Sequence, residues 1–376
     1  MSGYALLAHA WGADVRGWDR VRTPYLEHLP ADVDVDVSEE PPSPPEGWEP
    51  FVSTAFAGRV AGKSRADLLA ELVGLRDAIV VAGAHGKTTT TAMIAFALRE
   101  LGQDPAFLIG GDVPQLGGNA GAGKGWLVVE GDESDRTVGA LRPRIAVVTN
   151  LDLDHHTTFA SRAEVEVLFA DWLASARQTV RGSELEPYAG ELAVPGRHNR
   201  ENAAVALAVL EQAGVLSSDA ERALACFTGV ARRLERRGEA NGVEVFDDYG
   251  HHPTEVSAAL DALRENGRRV LVLFQPHLYS RTRHLAREFG RALAAADAVA
   301  VADVYPAREA PVPGVTGKLI VEALAEERPG MPLAWTPRWE DGATFVARRA
   351  RSGDRVLTLG AGDVDQAVPQ ILQALA

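Results

Sequence analysis

The chain has 376 residues with 38 basic and 52 acidic side chains, a formal charge of −14, which excludes a nucleic-acid binder working through a general basic surface. A 46% hydrophobic and 24% charged composition excludes wholesale disorder, and the single cysteine, Cys226, excludes an internal disulfide. No run approaches the roughly 20 apolar residues that cross a bilayer, and the start MSGYALLAHAWGADVRGWD lacks the basic and long apolar regions of a signal peptide, so a cytoplasmic protein without membrane insertion is expected.

Alternation in Val33, Val35 and Val37 predicts a strand, the proline cluster Pro41 to Pro45 a loop, and Phe51 to Ala55 another strand. Helical spacing follows over residues 66–73. From Ile79 the register changes to strand, tight turn, helix: IVVAG, AHGK, then TTTTAMIAFALRELG with Gly102 as its C-cap. The apolar runs Trp126 to Val129 and Ile145 to Thr149 end in acidic or amide residues, as buried parallel strands with functional groups at their C-terminal ends do. A long helix is expected from His198 to Ala213, a short one near Asp219 to Phe227, then a basic link, ARRLERRG. Strand-like runs at Val243 to Phe246, Val270 to Phe274, Ala298 to Ala302 and Arg355 to Leu359 alternate with helical segments, which predicts a second, mainly parallel α/β domain.

The sharpest local signal is Gly83-Ala84-His85-Gly86-Lys87-Thr88-Thr89-Thr90 between a buried strand and a helix. Amides of the glycine turn and helix start surround phosphate oxygens, Lys87 neutralises the terminal phosphates, and a threonine hydroxyl reaches Mg²⁺. Val81 stands where the strict phosphate-loop pattern has its first glycine, so the spacing is a shortened variant. The side chain of Lys87 is expected to contribute charge and little packing. Mg²⁺ needs further oxygen ligands, and Glu130 at the next strand end is the first choice; Asp132, Glu133 and Asp135 read equally well as a solvated acidic loop. A third strand ends in Thr149-Asn150-Leu151-Asp152-Leu153-Asp154-His155-His156, where His155 is placed to hold a second metal or contact a reacting phosphoryl group.

Taken together, AGAHGKTTTT, EGDESD, TNLDLDHH, PGRHNRENAAVAL, GVARRLERRG, DDYGHHPTEV, FQPHLYSRT, DVYPAREAPVPGV and LGAGDV resemble, in order, the motifs of the Mur ligases, most closely their alanine-adding branch. The resemblance spans roughly residues 79–364. It implies an α/β fold of three units: an incomplete Rossmann-like N-terminal domain over 1–75 for the uridine-diphosphate substrate, a P-loop ATPase domain over 76–195 with an adenine segment at 196–213, and a Rossmann-like amino-acid domain over 214–376. It also implies an ATP-dependent amide-forming ligase of peptidoglycan precursor synthesis, joining L-alanine to UDP-N-acetylmuramate through an acyl phosphate. Its partners are then small molecules, with no nucleic acid; the sequence leaves both a monomer and a homodimer open.

Carried over by motif, Gly83, His85, Gly86, Lys87, Thr88 and Thr89 take the ATP phosphates, with Lys87 on the transferring phosphate. Thr88 and Glu130 hold one Mg²⁺ and His155 matches the histidine of the other metal. His198 and Asn202 position the adenine; Arg233, among the basic link's arginines, and Asp248 meet the nucleotide. His251 serves the amino-acid side, while His277 and Arg281 face the acyl-transfer centre.

The chain also departs from the family pattern. Met1-Ser2-Gly3 falls inside the turn where the family places its first glycine loop, and about 40 residues separate His156 from Pro195, fewer than the family carries. Ala84 replaces a threonine and Leu278 an arginine. No lysine lies between Lys124 and Lys318, so the carbamylated lysine of several relatives has no candidate, as expected for the alanine-adding branch. Two other readings follow: a divergent ligase for another carboxylate or amino acid, and a nucleotide-binding pseudoenzyme that partners the genuine ligase.

Overall fold

The computed structural model describes residues 1–133, 136–152, 158–159, 161–307 and 309–376. Backbone contacts divide the chain into two compact units, Met1–Ala193 with Arg200–Thr228, and Val194–Asn199 with Gly229–Ala376. Both are mixed α/β with mainly parallel sheets.

In the first unit the sheet runs in the order Gln178–Arg181, Ile145–Val148, Ala78–Ala82, Leu127–Glu130, Ala106–Leu108 and Ala120–Gly121, parallel until its last, antiparallel pair. Every residue of the AIVVA strand is buried, because a parallel sheet is covered on both faces and β-branched side chains fit its pleat. Val80, Ala82, Val129 and Val148 share one core with Leu7 of the helix Ser2–Ala10, Leu69 and Leu72 of Arg65–Gly74, and Phe169 and Trp172 of Arg162–Ala174. This shared core groups the N-terminal residues with the phosphate-loop sheet. The helix Lys87–Glu100 contacts two of the same strands and is buried from Thr88 through Leu98. Two of its buried threonines find acceptors, one local and one distant in sequence: Thr91 Oγ1 donates to the Lys87 carbonyl at 2.8 Å and Thr90 Oγ1 to Asn202 Oδ1 at 3.3 Å.

The N-terminal stretch holds two small parallel pairs, Arg16–Asp19 with Asp34–Val37 and Phe51–Val52 with Lys63–Ser64. The strand expected to reach Ala55 stops at Val52, since Thr54–Phe56 turns into a 3₁₀ helix. Arg65–Gly74 begins on a capping box: Ser64 Oγ accepts the Asp67 amide and Asp67 Oδ2 accepts the Ser64 amide.

The second unit's sheet runs Glu235–Ala240, Val243–Asp248, Arg355–Leu359, Val270–Phe274, Ala298–Val301 and Leu333–Trp335, parallel after its first, antiparallel pair. Alternation sorts its residues to opposite faces. Val270, Val272 and Phe274 pack with Leu260, Phe289 and Leu324, whereas Leu271 and Leu273 pack with Val346, Val368 and Ile371. Helices thus cover both faces, the doubly wound arrangement expected. The basic link is more regular than its sequence suggests: ERRGEA forms an edge strand whose charged side chains stay largely exposed.

Candidate functional site

The central strand Ala78–Ala82 lies between Ile145–Val148 and Leu127–Glu130, so the segments following all three emerge at one end of the sheet. Gly83 (φ +128°) and Gly86 (φ +81°) shape the turn after the first. A Cβ on Gly83 would lie 2.7 Å from the Asn150 carbonyl oxygen, and one on Gly86 would collide with Asn202 Oδ1. Residues of the third strand end brace this turn. Asn150 Oδ1 accepts the His85 amide at 2.9 Å, its Nδ2 donates to the His85 carbonyl at 2.9 Å, and Thr149 Oγ1 donates to that carbonyl at 2.7 Å. The His85 ring itself stands 3.8 Å from Asp152.

Lys87 Nζ donates to the Gly83 carbonyl at 2.5 Å and to Glu133 Oε1 at 2.8 Å. Glu133 is only 4% exposed. It lines a small cavity with Ala84, Leu151, Asp152, Phe159, Val165 and Phe169. Burial there pushes its carboxyl up from the ordinary range while the Lys87 ammonium pulls it back. This acidic residue is therefore not the solvated loop residue that the sequence equally allowed. Thr88 Oγ1 donates to Glu130 Oε2 at 3.1 Å, and the Gly110 amide donates to Glu130 Oε1 at 2.5 Å. Thr89 is buried one residue on.

No three His, Cys, Asp or Glu side chains cluster as a metal cage among the described residues. Mg²⁺ does not require one, since it keeps waters and phosphate oxygens beside one or two protein ligands. The Thr88 hydroxyl and Glu130 carboxylate fit that donor set. His155, assigned by sequence to catalysis and a second metal, lies outside the described residues.

In the second unit the C-terminal strand ends carry Asp248 to His251, Gly360 to Asp363, Gln275 to His277, and Tyr305. Asp248 is buried; each oxygen accepts one amide at 2.7 Å, from Leu234 and Gly250, and burial pushes its carboxyl up to about 6. Arg233 lies with its guanidinium 5.3 Å from the Tyr249 ring centre. Its neighbour Arg232, another arginine of the basic link, ties the segment together: it donates to Asp247 at 2.9 Å, to the Gly360 carbonyl at 2.7 Å and to the Gly362 carbonyl at 3.0 Å.

His251, His277 and Arg281 do come together. The two imidazoles are 5.7 Å apart, and Arg281 Nη1 is 3.4 Å from His277 Nδ1. Of the adenine candidates, His198 lies against Gly196 in the Val194–Asn199 segment, and Asn202 sits beside Gly86 in the first unit.

Burial holds His251 below its ordinary pKa, with Arg281 adding to the effect and Glu255 and the Tyr249 carbonyl opposing it. Between the depressed folded value and the unfolded one near 6.5, the unfolded chain binds more protons. This contribution to stability is therefore complete above about pH 6.5 and is lost as pH falls. We expect His251→Gln to show a shallower drop in Tm between about pH 7 and pH 5 than the unaltered chain; parallel Tm profiles would refute a half-buried His251 held below its ordinary pKa.

The chain thus pairs a phosphate-loop sheet with a doubly wound unit that carries a histidine–arginine cluster at its strand ends. The chain belongs to the Mur ligase family: the middle-domain model matches residues 81–177 and the glutamate ligase domain model residues 232–362. Within the family it is similar to the UDP-N-acetylmuramate–L-alanine ligase of Renibacterium salmoninarum, 44% identical over 83% of this chain and 77% of that one. The corresponding ligase of Rubrobacter xylanophilus is 37% identical over 100% of this chain and 97% of its own. That alignment takes 435 positions for a chain of 376, so the relative carries residues with no counterpart here. In fold the chain matches the UDP-N-acetylmuramate-alanine ligase of Thermotoga maritima with a TM-score of 0.79, at 24% identity over 99% of this chain and 96% of that one. A murein peptide ligase from Psychrobacter arcticus matches with a TM-score of 0.63 at 23% identity, over 100% and 96%.

Proposed function

We propose that the chain is an ATP-dependent ligase that joins L-alanine to UDP-N-acetylmuramate in peptidoglycan precursor synthesis. The observation that carries ATP use is the placement of the Lys87 ammonium and the Thr88–Glu130 pair at the mouth of the Gly83–Gly86 turn; the alanine and muramyl substrates are supported by the similarity to UDP-N-acetylmuramate–L-alanine ligases. In this reading the carboxylate of the muramyl substrate attacks the γ-phosphorus of ATP, and ADP leaves. The amine of alanine then adds to the acyl carbon, and phosphate departs as the amide forms.

Little covalent work falls to the protein, so its contribution is positioning and charge. Turn amides and Lys87 hold the phosphates and offset their charge. Mg²⁺, held through Thr88 and Glu130, supplies further neutralisation of the phosphate oxygens. His198, Asn202, Arg233 and Asp248 are assigned to the nucleotide. His251, kept neutral by burial, and His277 with Arg281 are assigned to the amino acid and the acyl centre. The division of labour is residues 1–75 for the nucleotide sugar, 76–195 with the segment 196–213 for ATP, and 214–376 for alanine. No helix among the described residues is long and apolar enough to cross a membrane, in keeping with a cytoplasmic enzyme on small-molecule substrates.

The test is amino-acid-dependent phosphate release with Mg²⁺, ATP and a panel of carboxylates. UDP-N-acetylmuramate with L-alanine is expected to give the highest kcat/KM. Turnover with a different carboxylate and none with the muramyl nucleotide would replace the proposed substrate; no turnover with any would leave a nucleotide-binding protein.

A further inference from the structure

Between the strand Val270–Phe274 and the helix Tyr279–Leu293 the backbone makes a turn that a side chain resists. Leu278 sits at φ +71°, ψ 133°, where its Cβ crowds the main chain, so the surroundings must hold it there. Tyr305 holds one side. Its amide donates to the Pro276 carbonyl at 2.8 Å, its carbonyl accepts the Leu278 amide at 3.0 Å, and its ring stacks on His277 at 5.8 Å and 12°. Glu309 holds the other. Its Oε2 accepts the Ser280 amide at 2.8 Å and its Oε1 the Ser280 hydroxyl. The carboxylate thereby satisfies the free amide of the first helical turn, ahead of a kink at Leu285 (φ −112°, ψ 16°) that interrupts the helix Tyr279–Leu293. Both residues act on the turn whose two flanks are His277 and Arg281: Tyr305 also stacks on the His277 ring, and the Glu309 carboxylate lies in the field of the Arg281 guanidinium.

We propose that Glu309 is a positioning residue for the amino-acid step, clamping the strained turn so that His277 and Arg281 are held in their mutual arrangement. The proposal rests on the reading of the second unit as the amino-acid site. Removing the carboxylate frees the first helical turn, and the Leu278 backbone relaxes toward an ordinary conformation, carrying both side chains with it.

The test compares Glu309→Ala and Glu309→Gln with the unaltered full chain. Glu309→Ala is expected to raise the KM for L-alanine about tenfold while the KM for ATP stays within about twofold. Acyl phosphate trapped before amino acid is added should stay at its unaltered level. Glu309→Gln, which retains one acceptor, should fall between. Amide hydrogen exchange over residues 279–282 should quicken in the alanine variant. An unchanged alanine KM, or equal rises in both KM values, overturns the proposal. Should the unaltered chain fail to use any amino acid, the parent reading fails instead; the exchange measurement then decides the clamp, and unchanged exchange at Tyr279 and Ser280 overturns it.

Discussion

Replacing Lys87 by alanine is expected to cut amino-acid-dependent phosphate release by about 10²–10³-fold, the usual loss when one preorganised donor is removed from a site of developing charge. Acyl phosphate should no longer be trapped. The sequence reads Lys87 as contributing charge and little packing, which predicts an intact fold. The structure changes that second expectation. Glu133 is buried against Lys87 at 2.8 Å, so the variant leaves a desolvated carboxylate without its ammonium. Breaking such a pair from one side destabilises by roughly 1–3 kcal/mol when one partner is still partly exposed, as Lys87 is. A lowered Tm therefore accompanies the loss of activity. The two effects separate in the double variant Lys87→Met with Glu133→Gln, which removes both charges at similar volume: stability should recover and activity should not. Full turnover by Lys87→Ala in a folded preparation would refute the phosphate-contacting role.

What the sequence reveals of this site follows from how local its signals are. Gly83, Gly86, Lys87 and Thr88 are contiguous, and the apolar strand before them with the helix after them fixes their geometry within a dozen residues. Glu130 is legible because it terminates a strand adjacent in the sheet. Glu133 is not, since its partner is 46 positions away and the acidic run around it looks like a solvated loop. Glu309 is similarly hidden, paired with Ser280 at a separation of 29. Among the elements, AIVVA, VLVLF and RVLTL are apparent because buried parallel strands need continuous apolar runs. ERRGEA carries no such signal. An edge strand pairs through its backbone and keeps charged side chains outward, here with Arg236 bridged to Glu239 and Glu244. The helix Ser2–Ala10 has no side-chain N-cap and contains Gly3; burial of Leu7 in the shared core, a tertiary effect, sustains it.

Gly83→Ala is the second change with a large expected effect, and its origin lies in the turn rather than in charge. At φ +128° an L side chain is strained wherever it points. Here the added methyl also meets the Thr149 hydroxyl and comes within 2.7 Å of the Asn150 carbonyl, both parts of the brace that holds the His85 backbone. Neither obstacle is the free end of a flexible chain. The carbonyl belongs to the main chain and accepts the Ala84 amide at 3.2 Å, while the Thr149 hydroxyl is already committed to His85 at 2.7 Å. Strain and overpacking together are expected to destabilise by about 3–4 kcal/mol. The surviving folded molecules should bind ATP at least about 100-fold more weakly, because turn amides displaced by a fraction of an ångström no longer converge on the phosphates. Calorimetry with Mg²⁺ and ATP measures the second effect, and denaturant unfolding the first. The comparison with Lys87→Ala is informative: the lysine variant loses one cation from a standing turn and should keep measurable ATP binding, whereas the glycine variant loses the turn itself. ATP affinity retained by Gly83→Ala within a factor of a few would mean that the phosphates are held elsewhere in the chain.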